Sequence, residues 1–457
     1  MSTLTGARAV VGEWMNRVAL QTPARLTLIS FASVIMMFTG LLSLPGMTAA
    51  GNRVPFIDAL FTATSAVCVT GLTTVDTGTY WSSWGLAVIA AAIKIGGLGI
   101  MTLASLVGLA VSRRIGLTQR MLAAGEARAS GLGDLRSLLR TIAIVSFSIE
   151  ITIALILFPR FLTLDYGLGR SVGYSIFYGI SSFNNAGFTP DPMGLYPYSS
   201  DFWVLVPIGL GVFIGGLGYP VYLNLVRGWR TPRLWSLHTK LTLIMVTSLA
   251  IISTGLLAVF EWSNPATLGT ESTRATIGNV FFQSINQRSG GFASFDIGEA
   301  RETTWLLEIV LMFIGGGSGS TAGGIRVTTL AVLLLAIVAE ARGRRDIEAF
   351  GKRIGTEVLR GAVAVTLIGL SIVILGTGVF MAQTEIPLDR ALYEVVSAFA
   401  TCGLSTGITS SLDPDAKFTL IMLMYIGRVG SLTIAAALAL NKHRRVIRYP
   451  SERPIIG

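Results

Sequence analysis

The sequence predicts an all-α polytopic membrane protein, with eight transmembrane helices as four pseudo-symmetric span/pore-helix/span repeats around one central pore. Three observations predict it. Of 457 residues, 52% are hydrophobic and 13% are charged, about half the charged share of an average soluble domain. The apolar residues come in runs of about 20, the length that crosses a bilayer as a helix. One fourteen-residue pattern recurs four times. The composition excludes a disordered chain and argues against an ordinary cytosolic enzyme.

The apolar windows fall near residues 25–45, 84–111, 138–159, 202–226, 239–260, 304–339, 361–382 and 418–440. Pro45 and Gly46 follow the first window where a signal peptide would carry a small-residue cleavage site, so it reads as a retained span. Charges sort by side. The N-terminal segment through Arg25, residues 112–140, 227–240, 340–360 and the segment after 440 hold 24 Lys and Arg against 8 acids, while the alternate connections hold 7 against 14. The positive-inside bias puts both termini in the cytoplasm of a multi-pass cell-membrane protein, as an even number of spans requires. The formal charge of +10 is therefore mainly topology, with the lipid bilayer and not nucleic acid as the implied partner. Cys68 and Cys402 are too few for a disulfide framework.

The repeats explain the long outward connections. FTATSAVCVTGLTT (61–74), FYGISSFNNAGFTP (177–190), FFQSINQRSGGFAS (281–294) and YEVVSAFATCGLST (393–406) align without a gap. Each has an aromatic residue ten positions before a glycine, Phe61 and Gly71, Phe177 and Gly187, Phe281 and Gly291, Tyr393 and Gly403. The glycines are 116, 104 and 112 residues apart. This divides the chain into a cytoplasmic segment 1–24, repeats at 25–115, 116–230, 231–345 and 346–441, and a cytoplasmic tail 442–457. Non-helical backbone survives at membrane depth only where it is buried in protein or lines a watery cavity. Four such turns can offer carbonyls to a cation on a shared axis. Glycine allows the backbone angles, and the short helices aim their negative ends at the axis.

On these turns the chain resembles the Trk/Ktr/HKT superfamily of potassium transporters. SAVCVTGLTT, SSFNNAGFTP and SAFATCGLSTGIT carry the likeness, with IGGLGIMTL (95–103), GSTAGGI (319–325) and IGRVGSLT (426–433) in the expected order. Eight spans without an extra N-terminal pair look most like the Ktr-type membrane subunit. The resemblance implies a potassium filter made by Val69, Thr70 and Gly71, by Asn185, Ala186 and Gly187, by Ser289, Gly290 and Gly291, and by Thr401, Cys402 and Gly403. In that superfamily glycine in all four repeats goes with potassium and serine in the first with sodium, so Gly71 favours potassium. The resemblance also implies a homodimer resting on a cytosolic ring of nucleotide-binding regulatory subunits. ATP or ADP is expected on that ring and no cofactor on this chain. Sodium dependence, and channel-like against carrier flux, stay open at this stage, as does a sodium-selective or non-selective relative of the same superfamily.

The second span of the third repeat contains GGGSGSTAGG, residues 315–324, with six glycines in ten residues. Each costs about 1 kcal/mol of helix propensity relative to Ala, so a continuous helix is not expected. Close helix packing through small residues is one reading. The other, which the resemblance supports, is a gating loop beneath the filter made of Gly315, Gly316, Gly317, Ser318, Gly319, Ser320, Thr321, Gly323 and Gly324. It is not a nucleotide site, because no Lys-Ser or Lys-Thr completes a phosphate-binding loop.

Charges among the spans are costly and need partners. The resemblance places Arg428 beside the pore and the loop, where it would oppose cations and hold loop carbonyls, and gives Arg288 and Glu394 the role of bracing the filter through ion pairs. Lys94 needs a partner too, with Glu150 and Glu308 both within the spans, and it would oppose conduction if it faced the pore. Cys402 in the filter register raises the idea of an oxidation-sensitive thiol. His238 and His443 read as interfacial residues. A membrane-embedded enzyme would need convergent carboxylates, a metal cluster or a nucleophile with its base, and the sequence has no such motif.

Overall fold

The computed structural model describes residues 23–113 and 133–430. The expected N-terminal segment, the boundary between the first two repeats, the end of the last span beyond Gly430 and the C-terminal tail lie outside the described residues.

The chain runs through four stretches of similar order. The first holds α1 (Pro23–Leu42), the short buried α2 (Phe56–Val67) and α3 (Ser83–Arg113). The second holds α4 (Gly133–Thr163), α5 (Gly167–Phe183), α6 (Phe202–Gly215) and α7 (Tyr219–Gly228). The third holds α8 (Leu237–Glu261), α9 (Thr273–Asn286), α10 (Glu302–Ile314) and α11 (Val327–Ala341). A two-stranded hairpin of β1 (Ile347–Ala349) and β2 (Lys352–Ile354) leads to α12 (Thr356–Gln383), α13 (Leu388–Phe399) and α14 (Pro414–Tyr425). A π-helical turn, Ile426–Gly430, follows.

Local chemistry sets the helix ends. Ser236 accepts from the Thr239 amide to open α8, Ser272 from Ala275 to open α9, and Asp201 from Trp203 to open α6. Among the described residues, Arg140–Thr163, Leu237–Glu261 and Thr356–Gln383 are long and apolar enough to cross a membrane. Their outer faces leave Ile251, Val259, Ile374 and Leu375 bare, large apolar groups that a lipid environment would cover. The buried short helices α2, α5, α9 and α13 sit inside this wall and converge with their C-terminal ends together.

One expectation is corrected. The window at 202–226 is not one straight span, because α6 and α7 meet at a 95° bend. Its cause is legible in IGGLGYP: Gly218 takes φ +93° and Pro220 opens the next helix. Within the basic connection at 340–360, Ile347–Ala349 and Lys352–Ile354 pair as an antiparallel hairpin. Phe350 and Gly351 both take positive φ, the geometry of a tight two-residue turn.

Glycine governs how the second helices approach the short ones. A methyl group added at Gly96, Gly215 or Gly427 would fall inside the carbonyl oxygens of Val67, Phe183 and Phe399. Each of those residues lies four positions before a turn glycine. A charged pair closes the circuit, since Lys417 Nζ on α14 lies 2.9 Å from Asp58 on α2, joining the last stretch to the first.

This contrast is testable in detergent. Gly215→Ala and Gly96→Ala should each destabilise by about 1–3 kcal/mol, the usual cost of overpacking. Gly173→Ala, at an exposed helical glycine with open space around it, should be neutral or stabilising by about 0.5–1 kcal/mol. Thermal unfolding of the purified protein checks the order.

Candidate functional site

The four turn glycines meet in a ring. A Cβ added to Gly71 would lie 2.5 Å from the Ala186 carbonyl, one at Gly187 would lie 2.8 Å from Gly291 Cα, and one at Gly291 would lie 2.5 Å from the Cys402 carbonyl. One at Gly403 would strike the Thr70 carbonyl and closes the ring. The backbones touch at distances that no side chain permits.

Backbone hand explains the shape. Gly71, Gly187, Gly291 and Gly403 have φ of +99°, +70°, +72° and +98°, and Val69, Asn185 and Thr401, two residues earlier, have +55°, +58° and +47°. An extended strand would send successive groups to alternate faces. Left-handed residues two apart break that alternation, a backbone that can turn neighbouring carbonyls toward one side to serve a cation. Ser289, the third counterpart, is not left-handed.

A serine on the short helix fastens three of the turns, a feature the sequence reading missed. Ser65 Oγ accepts the Gly71 amide at 3.0 Å, Ser397 Oγ accepts the Gly403 amide at 3.1 Å, and Ser181 Oγ donates to the Phe188 carbonyl at 2.8 Å. All three stand six residues before a turn glycine, so the repeat alignment held the signal. The third stretch has Ile285 there. Its Ser289 hydroxyl instead accepts the Gly323 amide at 3.2 Å.

Glu394 is fully buried and supports the fourth turn from behind. It accepts from the Ser405 hydroxyl, from the Thr406 amide at 3.0 Å and from the Thr409 hydroxyl at 3.0 Å. Arg288 donates to the Val246 carbonyl at 3.2 Å. The expected ion pairs are thus replaced by neutral donors and a carbonyl, because the two side chains point into different helix packings. Glu308, another buried carboxylate, joins α9 to α13 through Gln283 and Tyr393. Cys402 is buried and directs its sulfur at the carbonyls of Asn286 and Gln287, 3.8 and 3.6 Å away. Its thiol is packed, not presented for oxidation.

On the side of the ring that carries Thr73, Thr189 and Ser405 lies a cavity of about 370 Å³, with Asp76 and Asp296 on its wall. The glycine-rich segment closes the other side. Gly315, Gly319 and Gly324 take positive φ. Its two ends are tied together by Ile325 to Phe313 at 3.0 Å, Arg326 to Ile314 at 2.9 Å and Val327 to Gly316 at 2.9 Å. Between them Ser320, Thr321 and Gly323 are buried. The Thr321 hydroxyl reaches the carbonyls of Gly215 and Phe183 and the Asn185 amide at 3.2–3.4 Å. A Cβ at Gly323 would strike the Ala400 carbonyl. Gly317 and Gly319 bond to the α6–α7 bend, with Gly317 N–H on Gly216 O at 2.8 Å and Tyr219 N–H on Gly319 O at 3.2 Å. Ser318 hydrogen-bonds Thr328 at 2.9 Å, and Gly316 packs against Ala322.

Arg428 is buried and donates to the Thr321 carbonyl, while its Nε and Nη2 have no protein partner. It occupies the position held by Gly97, Gly216 and Gly316 in the other IG motifs. Arg326 holds the Ala322 carbonyl of the same loop.

Comparison with known proteins places the chain in a family. The family model for TrkH, described as a cation transport protein, matches residues 12–444. The chain belongs to that family. Ktr system potassium uptake protein B of Bacillus subtilis (strain 168) is 38% identical over 95% of this chain and 97% of its own length. The potassium/sodium uptake protein NtpJ of Enterococcus hirae is 33% identical over 95% of this chain and 97% of its own. The crystal structure of the potassium transporter TrkH from Vibrio parahaemolyticus shares the fold, with a TM-score of 0.68 at 18% identity over 90% of this chain and 84% of that one. TrkH-family membership makes the chain a membrane transporter and not an enzyme.

The Glu394 cradle yields a prediction. Glu394→Leu strands an amide and two hydroxyls in the interior, at about 1–3 kcal/mol for each unsatisfied group. Glu394→Gln keeps an acceptor and should lose less. The melting temperature in detergent should fall in the order wild type, Gln, Leu.

Proposed function

We propose that this chain is a potassium uptake protein in which the four glycine turns form the selectivity filter. The single observation that carries the reading is the closed ring Gly71–Gly187–Gly291–Gly403, built of touching backbone beside left-handed carbonyl strands. The relatives named for potassium uptake support the choice of ion. Val69 and Thr70, Asn185 and Ala186, Ser289 and Gly290, and Thr401 and Cys402 supply the remaining carbonyls. A ring of carbonyl dipoles replaces hydration water around a monovalent cation and releases it again. The acids of the wide cavity draw cations toward it. Inward passage of one cation gains about 2.3 kcal/mol per 100 mV of membrane potential.

In this reading the chain crosses the membrane eight times in four repeats, with both termini cytoplasmic, and the loop from Gly315 to Gly324 is the gate. Arg428 holds the gate closed through Thr321 and adds positive charge to the path. A homodimer associates with a separate cytosolic ring that carries ATP or ADP, a reading supported by the likeness to the Ktr system potassium uptake proteins. The name of NtpJ, a potassium/sodium protein, favours one alternative, a less selective filter or a sodium requirement.

Three experiments test the proposal. Expression in a bacterium lacking potassium uptake should restore growth at low external potassium, and Gly71→Ser should abolish the rescue, since its side chain would meet the Ala186 carbonyl. Equal sodium and potassium flux through the unaltered chain would reject a potassium filter. Arg428→Gln should raise rubidium uptake into proteoliposomes about tenfold when the regulatory ring is absent, because the loop loses its charged anchor.

A further inference from the structure

Lys94 stands out because an ammonium on α3, at membrane depth, serves neither the vestibule nor the loop. Its Nζ lies 2.7 Å from both oxygens of Glu150 on α4 and 2.6 Å from Ser146 Oγ, with the Phe147 ring 3.9 Å away. The two side chains are 11% and 5% exposed. Lys94 therefore faces α4 and not the pore, and Glu150 is its partner, not Glu308.

The pair does not end there. Glu150 Oε1 also accepts from Asn184 Nδ2 at 2.8 Å. Asn184 ends α5, and the next residue, Asn185, is the left-handed residue of the second turn. Three further contacts fix this corner. Asn184 Nδ2 also donates to the Ile180 carbonyl at 2.8 Å. Gly97 on α3 lies so close that a Cβ there would strike Asn184 Oδ1, and a Cβ at Gly179 on α5 would lie 2.6 Å from the Glu150 carbonyl. The α3–α4–α5 junction is thus locked at one amide, immediately before the filter strand that Thr321 of the loop touches.

We propose that Lys94 and Glu150 are positioning residues for ion selectivity, acting through Asn184 on the second filter strand. The inference rests on the potassium-filter reading above. A carboxylate at this depth needs a counter-charge to stay ionised. Held ionised, it keeps acceptor oxygens for Lys94 and Asn184 together. Charge-assisted bonds are shorter and stronger than neutral ones, so the amide is held more tightly than a neutral acceptor would hold it. Small displacements at a carbonyl ring change the number and field of oxygens a cation meets, which is what separates potassium from sodium.

The experiment uses the full chain in proteoliposomes, with potassium, rubidium and sodium flux and apparent KM measured in the same preparations. Glu150→Leu, which removes the acceptor, should lower the potassium-to-sodium selectivity ratio at least fivefold, and Lys94→Gln should lower it less. Lys94→Gln/Glu150→Gln leaves Asn184 a neutral acceptor in place of a charged one and should give a ratio between those of the unaltered chain and Glu150→Leu, and a ratio as low as that of Glu150→Leu would overturn the inference. Asn184→Ala leaves the ion pair intact and should reproduce the Glu150→Leu loss. Leu157→Ala, a core cavity about two turns farther along α4 than Glu150, controls for destabilisation and should lower the amount of protein without changing the ratio. Wild-type selectivity in folded Asn184→Ala, or an equal change in Leu157→Ala, overturns the inference. If Glu150→Leu does not assemble, Asn184→Ala supplies the low ratio and decides together with the double-glutamine arm. Absence of potassium flux in the unaltered chain would instead reject the filter reading itself.

Discussion

Backbone in contact with backbone is the constraint on which this structure depends. Four strands approach at Gly71, Gly187, Gly291 and Gly403 so closely that any β-carbon meets a neighbour's main chain. The same demand recurs one layer out, where Gly96, Gly215 and Gly427 lie against the last carbonyls of three short helices. Side chains do their work behind these contacts. Ser65, Ser181, Ser397 and Glu394 bind the turns from the rear and leave the axis to carbonyls.

The third stretch departs from the others in several linked ways. It lacks the fastening serine, its Ser289 is not left-handed, and its second helix is interrupted by the glycine-rich segment. These departures compensate each other. Ser289 is free to accept the Gly323 amide, so the loop takes the place of the missing internal bond. The second stretch is altered to match. At its bend the Gly216 carbonyl accepts the Gly317 amide, and the Tyr219 amide donates to the Gly319 carbonyl. Two interrupted helices therefore satisfy each other's exposed peptide groups, as buried irregular backbone must.

Much of this was legible in the sequence. Alignment of the four segments located every ring glycine, and glycine density located the broken α10–α11 connection. The break between α6 and α7 was equally written in IGGLGYP, but an apolar window averages over a kink and reads it as continuous. The serine column was visible in three repeats, yet a hydroxyl's role depends on where the amide six residues later turns, which composition does not state. Lys94 could be known to need a carboxylate. Choosing Glu150 over Glu308 required the relative rotation of α3 and α4, a property of packing with no local signal. Arg288 and Glu394 were identified as supports, but their bonds went to a carbonyl and to hydroxyls where ion pairs were expected.

The tied ends of the glycine-rich segment have one more consequence. Because Phe313, Ile314 and Gly316 bond directly to Ile325, Arg326 and Val327, α10 and α11 are joined at a neck, and the residues between them form a tab hung from it. Residues could be added to or removed from the tab without shifting the register of either helix. In such a design the depth to which a plug reaches can change over evolutionary time independently of the wall that holds it.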